Sequence, residues 1–225
     1  MNISDNIIGH YLRNCYFING TAYAGKSTMC RMLAERYDMI HCGENYSLDM
    51  IRAVADPELQ PNISYMNTKP SWQHFVKRSP EEYEAWVDGN AAELTEFEIA
   101  ELIRLSDAGK KIIVDTNIPC DVLRRISDYD HVAIMLSPQR MSVERFFDRE
   151  DPEKQFLLSV IDGCEDAPAV LENFRACIAR INSPERFRAF EESGFFTLVR
   201  RDDGRDTREE TLAALASHFG LDAGD

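Results

Sequence analysis

Apolar positions along this chain come in short runs set between longer stretches of helical spacing. The run at 15–18 ("CYFI") is followed by a helical pattern at 26–37 and a short strand candidate at 39–42. From 44 to 109 the chain reads as helices and loops without a strong strand, and Tyr83, Val87, Leu94, Phe97 and Leu105 recur at helical spacing as a buried stripe that Trp86 joins. "KIIVD" at 111–115 predicts a strand leading into a capped helix at 118–127. "HVAIML" at 131–136 predicts another strand, and 138–193 is again mostly helical. "FFTLV" at 195–199 supplies a last strand before a helix at 207–219. Short apolar strands alternating with helices predict an α/β fold, a parallel sheet covered on both faces. No internal repeat or low-complexity linker divides the chain, so residues 1–225 are expected to form one domain.

Composition narrows the function. The net charge of −14 repels polyanions at long range and argues against nucleic acid or an anionic membrane as a partner. Any bound phosphate must therefore be held by a local cluster of donors. The N-terminal Asn2, Ser4, Asp5 and Asn6 do not read as a signal peptide, and no apolar run approaches a membrane span, so a cytoplasmic chain is expected. The six cysteines are scattered without a C-x-x-C pair and are expected to be buried thiols.

One stretch carries specific chemistry. Residues 20–27, "GTAYAGKS", match G-x-x-x-x-G-K-[ST] at every fixed position. Gly20 and Gly25 permit backbone angles closed to other residues, so the amides from Thr21, Ala22, Tyr23 and Ala24 onward can turn around an anion. The following helix aims its unpaired amides and positive dipole end at the same place, with the amides of 23–28 as the cradle. Lys26 can reach the terminal phosphates, Ser27 can ligate Mg²⁺, and Thr28 adds a hydroxyl. By average residue frequencies the pattern arises by accident in roughly one chain in a hundred of this length. Its place between a predicted strand and a helix selects the phosphate loop over a chance turn. The bulky Tyr23 is expected to point to solvent.

On these residues the chain resembles the P-loop NTPases, and within them the nucleoside and nucleotide kinase-like branch of small-molecule kinases. The resemblance implies a five-stranded parallel sheet in the order 2-3-1-4-5. It also implies a helical acceptor-binding region after the second strand, here 44–109, and a lid after the fourth, here 138–165.

Asp115, closing "KIIVD", is the expected metal-side carboxylate beside Ser27, while Asn117 ahead of Ile118 and Pro119 is expected to cap the next helix. Thr116 stands where NTPases that power motion commonly place a water-activating glutamate, and no Asn-Lys-x-Asp segment for guanine occurs. Transfer to an organic acceptor is thus favoured over hydrolysis. Arg145 and Arg149 are four apart and share a face if helical, so both can clamp donor phosphates, with Arg140 behind them. The interleaved Glu144, Asp148, Glu150 and Asp151 offer surface ion pairs as the alternative. For the base that takes the acceptor's proton, the loop after the second strand offers Glu44 and Asp49, and Asp49 with Arg52 can equally be a surface pair. His41 is expected to be a packed histidine. Trp72 and Arg78 lie outside the helical stripe and are candidates to meet a planar, anionic acceptor. Arg200, Arg201 and Arg205 fall where the resembling kinases contact adenine, or in a plain turn ahead of a Thr207 cap. The expected activity is ATP- and Mg²⁺-dependent transfer of the γ-phosphoryl to a small-molecule hydroxyl or phosphate. The alternative is an ATP-binding regulatory module with weak or no hydrolysis.

Overall fold

The computed structural model describes residues 3–147, 152–201 and 203–222. Helix α1 (Asp5–Leu12), which the apolar pattern did not announce, leads into β1 (Cys15–Gly20). A glycine-bearing turn opens α2 (Lys26–Arg36), and β2 (Ile40–Cys42) follows. The helical stretch divides into α3 (Leu48–Val54), α4 (Pro61–Thr68), α5 (Trp72–Val76) and the 27-residue α6 (Pro80–Ser106). β3 (Ile112–Asp115), α7 (Cys120–Ile126) and β4 (Val132–Leu136) come next. After them run α8 (Gln139–Glu144), α9 (Pro152–Asp162), α10 (Ala167–Ile181), α11 (Pro184–Glu191), β5 (Phe196–Val199) and α12 (Arg208–His218).

The five strands form one sheet in the order β2-β3-β1-β4-β5, with every pairing parallel. Alternation along the strands sorts the core. Tyr16, Ile18, Ile113, Ala133 and Met135 face one way, against Met29, Cys30 and Leu33 of α2 and Leu212 and Leu215 of α12. Cys15, Phe17, Ile112, Val114, Val132 and Ile134 face the other way, against Leu12 of α1, Leu102 of α6 and Leu123 of α7. Both faces are covered, which is why the strands read as continuous apolar runs. Five of the six cysteines are buried, and all six are free thiols.

A third apolar cluster lies among helices, where Phe75, Tyr83, Ile161, Phe174 and Cys177 pack with Trp72, Trp86 and Phe146 alongside. Helix α6 belongs to two clusters, through Tyr83 near its start and Leu102 near its end. It begins with a capping box, in which Ser79 Oγ accepts from the Glu82 amide and Glu82 accepts from the Ser79 amide, and Pro80 fills its first turn. Arg180 bridges to Glu81 and Glu84, and Arg186 to Glu84 and Asp88, fastening α10 and the start of α11 to its first turns. No helix among the described residues is long and apolar enough to cross a membrane.

Several local expectations are corrected. The helix after β3 starts at Cys120, and Asn117 does not cap it; instead the Thr116 hydroxyl accepts from the Ile118 amide at 2.9 Å, which holds that turn. Thr207 occupies the N-cap position of α12 but makes no side-chain cap bond, since Asp206 already takes the Arg208 amide and guanidinium. Helix α8 stops at Glu144, leaving Arg145 as its C-cap residue, so no single described helix carries Arg145 toward Arg149. Arg149, with Asp148, Glu150 and Asp151, lies outside the described residues.

Candidate functional site

The site forms at the carboxyl ends of β1 and β3, which the sheet register sets side by side. Ile18 lies opposite Asp115, and the Thr116 amide donates to the Ile18 carbonyl at 3.0 Å. Across the other edge of β1, Gly20 lies opposite Met135. Gly20 has φ +130°, and a Cβ placed on it would stand 1.9 Å from the Met135 carbonyl oxygen, so only glycine fits. The Thr21 amide donates to that same oxygen at 3.0 Å.

Beyond Gly20 the chain turns back on itself. Tyr23 (φ +67°) and Gly25 (φ +93°) are both left-handed, and Gly25 is the N-cap of α2. The turn is pinned from outside by β4 and its extension. Ser137 and Ser142 both donate to the Ala22 carbonyl, at 2.5 and 3.0 Å, and Arg200 Nη1 donates to the Tyr23 carbonyl at 2.8 Å. Tyr23 does not point to solvent, because its hydroxyl is closed off from water. A non-glycine residue in this conformation is strained, and the three carbonyl contacts hold it there.

The first intramolecular hydrogen bond of α2 runs from the Met29 amide to the Gly25 carbonyl at 3.1 Å. Among the described residues the amides of Ala24, Gly25, Lys26, Ser27 and Thr28 find no protein acceptor. Five consecutive donors at a helix N-terminus are an anion-binding arrangement. The Lys26 ammonium lies 3.3 Å from both the Gly20 and Thr21 carbonyls, at the mouth of the same turn.

Opposite stands the carboxylate. Asp115 is 4 % exposed and accepts from the Ser27 hydroxyl at 2.6 Å. Burial raises its pKa; Lys26 and the Ser27 hydrogen bond oppose that, and Glu44 adds to it. An anionic carboxylate and a hydroxyl at this separation are hard oxygen donors suited to Mg²⁺.

The structure therefore brings Gly20, Lys26, Ser27 and Asp115 together as expected. Glu44 is exposed but close enough to act on the charge of Asp115. His41 is exposed rather than packed, and its charge also acts on Asp115. Asp49 is exposed and forms no ion pair with Arg52 among the described residues; the Arg52 charge, after burial, lowers the Lys69 pKa. Arg140 and Arg145 line a cleft of about 360 Å³ with Arg200, Arg201 and Arg205. Five arginines line it, Arg140 and Arg145 from α8 and its C-cap and the other three from the segment after β5, and Arg200 ties the cleft to the glycine-bearing turn.

A second, smaller cavity of about 30 Å³ has Asp115 in its wall and is lined also by Asn45, Tyr46, Leu48, Ile51, Glu98 and Asn117 among others. Sequence reasoning missed Glu98. It is half-buried as a residue, yet its Oε1 has no contact with solvent and no hydrogen-bond partner; the Tyr46 hydroxyl in the same cavity is also unpartnered. The available signal was an acid four residues from Leu94 and four from Leu102, on the apolar face of α6. Burial pushes the Glu98 pKa from the ordinary 4.5 up to about 7, Thr116 pulls it down, and the charge of Asp115 adds to the rise. A folded-state pKa above the unfolded one contributes stability that is whole below pH 4.5 and is lost as pH rises through 7. The loss between pH 4.5 and 8 should be about 3 kcal/mol. Glu98→Gln, neutral throughout, should flatten that slope and melt above the wild type at pH 8; thermal melts across this range check it.

No protein-family model, no curated protein and no solved structure matches this chain. The functional reading therefore rests on the site itself.

Proposed function

We propose that the protein is a kinase-like P-loop phosphotransferase that uses ATP with Mg²⁺ and moves the γ-phosphoryl to a small-molecule acceptor. The observation that carries this reading is the run of unpartnered amides from Ala24 to Thr28, set at a helix N-terminus beneath Lys26 and facing the Ser27–Asp115 pair. The amides and Lys26 hold the phosphate chain and neutralise charge that builds on it during transfer. Ser27 and Asp115 are the residues to hold Mg²⁺, which supplies further neutralisation when bound. Arg140 and Arg145 with Arg200, Arg201 and Arg205 flank the donor, suited to phosphate or to stacking on a base.

In the transfer the acceptor oxygen bonds to the γ-phosphorus, the bond from phosphorus to the β–γ bridging oxygen breaks, and ADP leaves. The acceptor's proton passes to a carboxylate. Glu98 borders the cavity beside Asp115 and has a pKa pushed up to about 7, near the value that suits a base at neutral pH. Glu44 is the second candidate. Thr116 in place of a second acid directly after Asp115 departs from the pattern of NTPases that activate water there, which favours an organic acceptor.

Titration with ATP and with a non-hydrolysable analogue, with and without Mg²⁺, tests binding. A screen of acceptors that follows ADP release then tests transfer: turnover that no acceptor raises above hydrolysis would leave only a nucleotide-binding module. Asp115→Asn should keep analogue binding without metal and lose about tenfold of the enhancement that Mg²⁺ provides. Retention of the full enhancement would remove Asp115 from the metal site.

A further inference from the structure

Four successive carbonyls in the turn, from Gly20 to Tyr23, each receive a side-chain donor. Lys26 serves the Gly20 and Thr21 oxygens, the Ser137 and Ser142 hydroxyls serve Ala22, and Arg200 Nη1 serves Tyr23. The last two carbonyls matter for the amides. A trans peptide unit is planar, with its C=O and N–H pointing in opposite directions, and the described residues hold no cis bond. Holding the Ala22 oxygen toward Ser137 and Ser142 therefore sends the Tyr23 amide the other way. Holding the Tyr23 oxygen toward Arg200 does the same for the Ala24 amide, the first of the five unpartnered donors.

The donors are themselves firmly mounted. Ser137 is 1 % exposed and Ser142 0 %, so both hydroxyls are closed to any ligand. They lie 3.4 Å apart, and the buried Thr21 hydroxyl accepts from the Ser137 amide at 2.7 Å. Ser142 stands on α8, which Gln139 fastens to α10 by donating to the Ala179 carbonyl at 2.8 Å. The Arg200 amide donates to the Leu136 carbonyl at 2.8 Å, which docks the chain after β5 against the end of β4. Packing alone asks for no hydroxyl at 142, since an alanine there would lack one oxygen and nothing else.

We propose that Ser137, Ser142 and Arg200 are positioning residues of the anion cradle, holding two carbonyls of the turn outward and so aiming its amides at an oxyanion. This role rests on the turn holding a polyphosphate, as the phosphotransferase reading has it, and on no transfer step.

Inorganic tripolyphosphate, which carries no base or sugar, serves as the probe. It is titrated by calorimetry without metal, at a temperature where every variant is folded, and the amide resonances of Ala24 to Thr28 report where it binds. Ser137→Ala and Ser142→Ala should each weaken binding about threefold, because the other hydroxyl still holds the Ala22 oxygen. The double variant releases that oxygen and should lose about thirtyfold, more than the two single losses combined. Ser142→Cys beside Ser137→Ala supplies a weak donor and should recover part of that loss. Arg200→Ala should weaken binding about fivefold and also move the Ala24 amide resonance in the unliganded protein, which loss of a direct contact with the probe would not do. Lys110→Gln, which removes an exposed cation paired with Asp38, should change nothing.

Variants that lose stability yet bind tripolyphosphate with wild-type affinity carry ordinary structural bonds, and that result overturns the role. Where the double variant does not fold, unchanged affinity in both single serine variants and in Arg200→Ala overturns it equally. A wild type whose Ala24 to Thr28 amides ignore the probe removes the role and the nucleotide site together. Binding that weakens in the variants, with no acceptor raising ADP release, leaves the positioning residues standing while the phosphotransferase reading falls.

Discussion

Gly20→Ala is expected to destabilise the protein by at least about 3 kcal/mol, a fall of about 10 °C in melting temperature for a chain of this size. The added methyl would meet three backbone atoms of Met135, at 1.9, 2.7 and 2.9 Å, and backbone cannot swing aside as a flexible side chain can. Relief requires parting β1 from β4 in the middle of the sheet, which also breaks the hydrogen bond from the Thr21 amide to Met135. Gly25→Ala is the informative comparison. The space there is open, with the nearest atom the Met135 methyl at 4.0 Å, so only the left-handed φ of +93° opposes a side chain. Its cost should be about 1 kcal/mol. Equal losses for the two variants in chemical denaturation would remove the steric account of Gly20.

The second large effect is functional. Lys26→Ala should lower affinity for Mg²⁺ and the ATP analogue, and any acceptor-dependent ADP release, by about 100-fold or more. It should leave the fold close to wild-type stability, because the two hydrogen bonds Lys26 makes are long, at 3.3 Å, and end on carbonyls at the edge of the site. Removing the lysine also deletes the positive charge that opposes the rise of the Asp115 pKa, so that carboxyl should titrate higher still. Calorimetric titration paired with thermal melts separates the two effects. Unchanged nucleotide affinity in a folded Lys26→Ala protein would detach the loop from phosphate binding.

Much of the architecture was legible because local and global signals agree. The strands are buried on both faces, so each reads as a continuous apolar run, and all five predicted runs became strands within a residue or two of their limits. The turn from Gly20 to Ser27 was legible for a different reason, namely that its glycines stand where the backbone must be left-handed or closely approached ahead of a helix. The helical region between β2 and β3 was not legible in this way. Glu98 is held by a helix and faces a cavity made by α3 and the end of β3, a meeting that no periodicity records. Arg78 stood out in the sequence because it lies outside the helical stripe, whereas its stacking on Tyr65 joins two helices that no local pattern links. Asn117 misled because a good capping residue was outbid by the Thr116 hydroxyl one position earlier. His41 misled because β2 is a short edge strand whose middle residue is left exposed.

Helix α6 has a mechanical consequence. From Tyr83 to Leu102 it runs about 28 Å as one rigid rod, rooted against the sheet at one end and crowded by aromatic rings at the other. Rotation by a few degrees about the rooted end sweeps the far end through about 1.5 Å while barely displacing Glu98. The rod is thus a lever whose short arm carries the carboxylate and whose long arm ends among the aromatic rings. Because Arg180 and Arg186 tie those distal turns to α10 and α11, any such rotation carries these helices along while the groups beside the sheet keep their alignment.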